Sequence, residues 1–352
     1  MPKDSSNRKI MVACPCLNEA HRVQEAISSL LGDKGAVDYD ILLLDGGSTD
    51  GTQEKVRAAF GDRVEIVHNP YRLQAHAVNM AAGIAIERGA EFLVRADLHA
   101  KYPCDFISKL CATAHRTEAS SVVVSMRTQG GNRVQNAAKL LFSTWLGNGG
   151  SPHRTEGYRG WVAHGHHALF RVEEFARVGG YDPEFAANED AEFDLRLVRA
   201  NGRIFLESDA AIDYFPRPTL RSTFKQFFRN GRYRVWTAVK HREKLGKRQL
   251  LPMAIAPILI LFALLALVVP WALVIPISYL SLVFYLAWSG AQKETPVAPF
   301  SVWGLAAILA IVTHIGFSVG ALRGLHDLYR ADRAKAKRLQ QRQHLDLRVV
   351  LK

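Results

Sequence analysis

Between Leu251 and Gly290 the chain runs for forty residues without a charged side chain, and Val297 to Leu322 adds twenty-six more in which only His314 can titrate. A helix that spans a bilayer needs about 20 consecutive apolar residues. The first stretch is too long for one ordinary helix, and Pro270 and Pro276 mark where it would break. The pattern therefore predicts three apolar helices within residues 250–322.

The charge is arranged around this block. The chain of 352 residues carries a formal net charge of +12. From Arg217 to Arg248 there are eleven Lys or Arg against one acid, and from Arg323 to Lys352 nine against three. Those two segments hold +10 and +6, so the rest of the chain is net acidic at −4. Basic blocks that flank apolar segments fit anionic lipid headgroups better than nucleic acid. Both blocks favour the cytoplasmic side, yet three spans place them on opposite sides. A re-entrant segment, or one long tilted helix in place of two, would reconcile the two rules. Thr219 to Val239 mixes Phe224, Phe227, Phe228, Val235, Trp236 and Val239 with basic residues. That segment reads either as an amphipathic helix at a bilayer surface or as a helix packed on the preceding domain.

Before residue 217 the pattern is different. Short apolar runs alternate with amphipathic ones: strands over Lys9–Ala13, Ile41–Leu44, Val64–Val67, Phe92–Ala96 and Val122–Met126. Helices fall between them, at Asn18–Leu31, Thr52–Phe60, Gln74–Glu87 and Phe106–Ala114. This alternation predicts an α/β fold, a doubly wound sheet with helices on both faces. In such sheets ligands bind beyond the carboxyl ends of the strands. The four cysteines include no Cys-x-x-Cys pair, so reduced thiols are expected rather than structural zinc. The polar segment Met1–Ser6 has no apolar signal core, which leaves the catalytic part expected in the cytoplasm.

Three chemistry-bearing loops fall at predicted strand ends, at Pro15, Asp45 and Asp97. In Arg95-Ala96-Asp97-Leu98-His99, side chains two apart on a strand point the same way, so Asp97 and His99 are candidates to share one divalent cation. In Asp45-Gly46-Gly47-Ser48-Thr49-Asp50-Gly51-Thr52, the glycines allow close backbone approach to a ligand. Asp45 there can accept from a base N–H or a ribose hydroxyl, while Asp50 is placed to cap the next helix. Asn188-Glu189-Asp190 opens a further helix; Asp190 is the candidate base for an acceptor hydroxyl, with Glu189 and Glu192 as neighbouring acceptor contacts. Gln226, Arg229 and Arg232 recur at helical spacing, and arginine forks suit diphosphate oxygens. His164, His166 and His167 cluster as well, with His166 the candidate to line an acceptor pocket.

Taken in order, Pro15-x-x-Asn18-Glu19, the Asp45–Thr52 loop, Asp97-x-His99, Asn188-Glu189-Asp190 and Gln226-x-x-Arg229 resemble the motif series of family 2 inverting glycosyltransferases of the GT-A fold. More narrowly, Arg95-Ala96-Asp97-x-His99-Ala100-x-Tyr102-Pro103, Asp190-x-Glu192-x-x-x-Arg196 and Gln226-Phe227-Phe228-x-x-Gly231-Arg232 resemble the succinoglycan-type exopolysaccharide glucosyltransferases. The resemblance covers residues 9–240. It implies a UDP-sugar donor, Mg2+ or Mn2+, and a polyprenyl-diphosphate-linked saccharide acceptor at the inner (plasma) membrane, with the catalytic domain cytoplasmic. Other exopolysaccharide-assembly proteins would be partners; nucleic acid would not. It implies nucleotide contacts at Pro15, Glu19 and Asp45, with Asn18, Gln226, Arg229 and Arg232 completing the nucleotide-sugar set. Asp97 and His99 would hold the metal, and Asp190 would be the base.

Two departures stand out. Processive members carry Gln-x-x-Arg-Trp, whereas Asn230 follows Arg229 here. The second metal-motif residue is His99 rather than an acid, which lowers the affinity expected for a hard cation. A nucleotidyltransferase would need a Gly-rich, Lys-bearing triphosphate loop that the N-terminal part lacks. A non-catalytic lipid-binding protein would need none of the ordered acidic motifs. The segmentation expected is a GT-A catalytic domain over 1–216, a basic interface segment over 217–249, apolar helices over 250–322 and a basic tail over 323–352.

Overall fold

The computed structural model describes residues 10–35, 37–151, 157–294 and 299–350. The chain divides into two compact units, residues 1–218 with 287–306, and residues 219–286 with 307–352.

The first unit is built on a mixed sheet. Its strands are β1 (Ile10–Cys16), β2 (Tyr39–Asp45), β3 (Val64–His68), β4 (Phe92–Arg95), β5 (Ala100–Lys101), β6 (Ser121–Thr128), β7 (Gly160–Val162), β8 (His166–Arg171) and β9 (Ile204–Tyr214). They lie in the order β3-β2-β1-β4-β8-β6-β9-β5, with β7 also on β9. β1 to β4 are mutually parallel, and β8 runs antiparallel to both β4 and β6. The carboxyl ends of β1, β2 and β4 therefore share one edge, with Cys16 opposite Asp45 and Ala13 opposite Arg95.

Alternation along β1 builds two cores. Ile10, Val12 and Cys14 face α1 (Val23–Leu31) and α4 (Phe106–Thr117), whereas Met11 and Ala13 face α3 (Gln74–Glu87). α2 (Thr52–Phe60) adds Val56 to the first core. α5 (Arg133–Ser143) and α6 (Trp145–Asn148) follow β6. α7 (Val172–Arg177) and α8 (Glu189–Arg199) cover the second core, where Phe170, Phe175, Tyr181 and Phe193 meet ring to ring at 5.0–5.9 Å. Edge-to-face pairs at such separations add stability beyond the area they bury.

The expected α2 and α3 boundaries match the structure residue for residue; other details differ for identifiable reasons. Pro15 does not stop β1. By that point β4 has ended, so the missing proline N–H faces no ladder acceptor on that side. Asn18 does not open a helix: its φ is 57°, and α1 begins only at Val23. The intervening loop is clipped to the β2–α2 loop. Asn18 N–H donates to Ser48 Oγ (2.8 Å), Glu19 N–H to Thr52 Oγ1 (3.1 Å) and Ala20 N–H to Asp50 Oδ2 (3.0 Å).

The second unit begins with α9 (Leu220–His241), capped by Thr219, and continues into α10 (Lys247–Leu265). α11 (Val274–Glu294) and α12 (Phe300–Val350) follow, with residues 287–306 counted in the first unit. The break predicted in the long apolar stretch falls just before Pro270, while Pro276 sits in the first turn of α11, where a proline is tolerated. Among the described residues three helices are long and apolar enough to cross a membrane: Lys247–Leu265, Pro270–Lys293 and Phe300–Arg330. α12 continues through Arg323 as one helix to Val350.

α9 docks on α12 within this unit. A Cβ on Gly320 would lie 1.9 Å from the Phe228 carbonyl oxygen, one on Gly324 2.6 Å from that of Arg232, and one on Gly316 3.0 Å from that of Phe224. Both partners advance four residues per step, so the two helices run parallel. Gly316, Gly320 and Gly324 form the small-residue spacing by which apolar helices bring their backbones together. Ser318 ties α10 to α12 as well: its hydroxyl donates to Met253 O (2.6 Å) and accepts from Ala256 N–H (3.2 Å). Met253 O is the carbonyl that Pro257, lacking an N–H, leaves without its helical donor.

Candidate active site

Asp97 lies beyond the end of β4 rather than on it, in a turn closed by Ala100 N–H to Asp97 O (3.2 Å). The strand alternation expected to align Asp97 with His99 therefore does not apply, although the turn keeps both at the same sheet edge. Asp97 is only 7% exposed. Its carboxylate accepts from Arg95 Nε (3.2 Å), Arg95 Nη2 (3.3 Å) and Gln74 Nε2 (2.8 Å), and His166 Nε2 lies 3.7 Å away. Burial would raise its pKa, but the charges of Arg95, His99 and His166 outweigh it and hold the carboxyl well below the usual carboxylate range.

Arg95 is the hub of this arrangement, and sequence reasoning missed it. Its guanidinium is buried, and Nη1 donates to the Tyr181 hydroxyl (3.1 Å) and to Glu189 (3.4 Å). One side chain thus joins the loop after β4 to the start of α8. Tyr181 is held in turn by Asn79 of α3, whose side chain accepts from Tyr181 N–H (2.8 Å) and donates to Tyr181 O (2.7 Å). The turn that delivers it uses Gly179 and Gly180 at φ 86° and 65°, in the left-handed region.

Four acids crowd the start of α8, where the helix dipole favours them. Glu189 faces Arg95, and both burial and the neighbouring Asp190 push its pKa up. Glu192 is fully buried and chelated by Arg196 Nε at 3.0 Å to each oxygen; Arg196 also donates to Gly180 O (2.7 Å). Glu192 is thereby held by the same arginine that braces the Gly179–Tyr181 turn. Asp194 is buried against His164 (2.7 Å). Asp190 is half-buried, accepts from Ala191 N–H (2.7 Å), and bears electrostatically on Arg95 and His166. His166 comes to Asp97 because β8 pairs antiparallel with β4, Leu169 opposite Val94. Burial first, then Arg95, drives its pKa down to about 4, which leaves a neutral imidazole at pH 7.

Asp45 lies at the same edge but is fully buried. Its oxygens accept from Gly47 N–H (3.0 Å), Ser48 N–H (3.0 Å), Ser48 Oγ (2.5 Å) and Gln53 Nε2 (2.7 Å). A carboxylate has about four lone-pair sites, so the loop's own donors take up its capacity, and a nucleotide contact at Asp45 requires one of them to give way. Burial raises its pKa, but the Ser48, Gln53 and Gly47 bonds prevail and hold it below the ordinary value. Asp50 accepts from Thr52 N–H (3.2 Å), as expected of a residue at a helix start, and also anchors Ala20. Glu19 is half-buried; burial pushes its pKa up against the pull of His21, Arg217 and Arg22. Gln226, Arg229 and Arg232 belong to the second unit, where Arg232 pairs with Asp327 of α12 (2.8 Å) and Arg323 shares the same partner (3.0 Å). Binding a diphosphate at Arg232 would cost that ion pair.

Among the described residues no group of three His, Cys, Asp or Glu side chains stands together as a preformed metal cage. The pair Asp97 and His99 still suits a divalent cation shared with a ligand. Asp97 is ionised, with three hydrogen bonds on about four lone-pair sites. His99 is kept neutral, chiefly by burial, despite the pull of Asp97.

Comparison with known proteins places the chain in a family. The model of "Glycosyl transferase family 2" matches residues 11–179, and that of "Glycosyl transferase family group 2" matches residues 103–289. The succinoglycan biosynthesis protein ExoA of Rhizobium meliloti is 40% identical over 324 residues, covering 91% of this chain and 96% of that protein. This chain belongs to glycosyltransferase family 2. A second relative is similar over 62% of this chain and 70% of its own length, at 24% identity. It is the dolichyl N-acetyl-alpha-D-glucosaminyl phosphate 3-beta-D-2,3-diacetamido-2,3-dideoxy-beta-D-glucuronosyltransferase of Methanococcus voltae. Among solved structures, the mannosyltransferase PcManGT of Pyrobaculum calidifontis, in complex with GDP-Man and Mn2+, superposes with a TM-score of 0.54 at 20% identity. It covers 92% of this chain and 89% of its own, and the likeness establishes the GT-A fold.

Proposed function

We propose that this family 2 enzyme is a membrane-associated inverting hexosyltransferase. It would move a hexose, glucose in the first instance, from a UDP-sugar to a polyprenyl-diphosphate-linked saccharide during exopolysaccharide assembly. The observation that carries the reading is the convergence of Asp97 and the Glu189-Asp190 pair at one sheet edge through Arg95. A donor subsite and an acceptor subsite then lie on either side of one buried cation. The acceptor class follows from the relative in succinoglycan biosynthesis and from the three apolar helices, which would keep the active site beside a lipid-borne substrate at the cytoplasmic face of the inner membrane.

In this mechanism Asp190 takes the proton from the acceptor hydroxyl as its oxygen attacks the anomeric carbon from the face opposite UDP. Mg2+ or Mn2+, held by Asp97 and His99, would neutralise charge on the departing diphosphate. Gln74 and Arg95 fix the Asp97 carboxylate, and Arg95 sets its distance from Glu189. No protein nucleophile is needed, because binding both substrates in line supplies much of the rate. His166 lies 3.7 Å from Asp97 and presents a neutral ring beside that carboxylate.

The reading is tested by incubating membranes that contain the protein with a panel of labelled UDP-sugars and lipid-linked saccharides, with and without chelator. Label entering the lipid-linked fraction from one UDP-sugar, and lost with EDTA, is expected. No label in lipid from any UDP-sugar, or label only when a GDP-sugar is added as a parallel donor, would overturn it.

A further inference from the structure

One pair of ionisable groups beside the site has no part in the mechanism above. His164 lies in the turn between β7 and β8, and its Nδ1 is 2.7 Å from Oδ2 of Asp194. The Gly165 N–H donates to the same oxygen at 3.4 Å. Gly165 is what allows the turn to lie this close to the sheet: a Cβ there would sit 2.5 Å from Cγ2 of Val123 on β6. Asp194 is fully buried on α8, four residues after Asp190, so the two carboxylates share a helix face. Burial pushes the Asp194 carboxyl up to about 6 against the pull of His164. The His164 side chain is 37% exposed, so its ring meets solvent while its carboxylate partner does not. A buried carboxylate that fixes an imidazole through Nδ1 sets the tautomer of the ring and stabilises its protonated form.

We propose that His164 and Asp194 form a proton-accepting pair that clears Asp190, an inference that rests on the glycosyl-transfer reading above. In the transfer step the acceptor O–H bond breaks and its oxygen bonds to the anomeric carbon. The bond from that carbon to UDP breaks with the electron pair leaving on UDP, and the proton goes to Asp190. Asp190 must lose that proton before another acceptor can react. The His164 imidazole takes it and releases it to solvent, and Asp194 stabilises the imidazolium in the interval. Both are positioning residues that act through Asp190. Asp190 on α8 bears electrostatically on Asp194, and Glu189 on α8, Arg95 on β4 and His166 on β8 are in turn within electrostatic range of Asp190.

The test uses the full chain in membranes and measures kcat and KM for the UDP-sugar from roughly pH 5 to pH 9, the range in which an essential base shows itself. His164→Gln should lower kcat roughly tenfold near neutrality and move the acidic limb of the profile, with KM and UDP affinity unchanged. His164→Gly should regain activity with added imidazole, and Asp194→Asn should reproduce the altered profile. Should Asp194→Asn fail to accumulate, the two His164 variants carry the test, because that side chain is partly exposed. Superimposable pH profiles without imidazole rescue would overturn the pair's role, as would a fall in UDP affinity parallel to kcat. Absence of transfer by the wild type from every UDP-sugar would instead overturn the reading of the reaction, and this inference with it.

Discussion

Arg95 and Glu189 are 94 residues apart in sequence and 3.4 Å apart in space. The same guanidinium forks onto Asp97, so one buried cation balances carboxylates from two loops. Two acids at this depth would repel each other and lose their hydration, and Arg95 offsets both effects. Removing one member of a buried ion pair leaves an uncompensated charge. Arg95→Met is expected to destabilise the first unit by about 3–5 kcal/mol, read as a drop in the denaturation midpoint of the detergent-solubilised protein. Arg95→Lys keeps the charge without the planar fork and should fall between that variant and the wild type.

Asp45 supplies a pH signature. Its folded pKa lies below the ordinary value of 3.8, so the stability it contributes is fully present above that value and is lost as pH falls through the folded one. Asp45→Asn should cost about 1–3 kcal/mol near neutrality, since an amide nitrogen cannot accept the bonds that one carboxylate oxygen accepts. The gap to the wild type should close below pH 3.8, as measured by denaturant melts at stepped pH.

How much of this was legible before the structure depends on how local the signal is. The α2 and α3 boundaries, the shared edge of Asp45 and Asp97, and the break before Pro270 follow from short-range pattern. Arg95 sits two residues before Asp97 and was read as part of a motif only. Its partners Tyr181 and Glu189 arrive from elsewhere in the chain, and no spacing rule reports them. His166 meets Asp97 because of a β4–β8 register that periodicity does not encode. Glu192 lies four positions before Arg196, a spacing that reads the same on a surface or in a core, so its burial on that arginine has no local signal. The Gly316, Gly320, Gly324 spacing, by contrast, was present in the sequence and marks the face of α12 against which α9 packs.

That face yields a paired prediction on glycine. Gly320→Ala drives a methyl into the Phe228 carbonyl and should cost about 1–3 kcal/mol, the usual range for overpacking. Gly83→Ala, in the interior of α3 with nothing within 4 Å, should stabilise by up to about 1 kcal/mol through helix propensity. Thermal melts of the two purified variants should shift in opposite directions.

Ser318→Ala removes the donor that satisfies Met253 O beside Pro257. The loss expected is about 1 kcal/mol, typical of hydrogen bonds between apolar helices. Cysteines placed on facing positions of α10 and α12 should then cross-link more slowly than in a Ser318 background, and equal rates would show that this bond does not hold the helices together.

The central claim is that Asp190 is the base of an inverting transfer whose donor is held elsewhere in the site. The direct measurement is sugar transfer and UDP affinity for Asp190→Asn, side by side with the wild type. Transfer should fall by at least about 100-fold, the usual contribution of a positioned base, while UDP affinity stays within about twofold. A variant that transfers sugar at the wild-type rate would contradict the account.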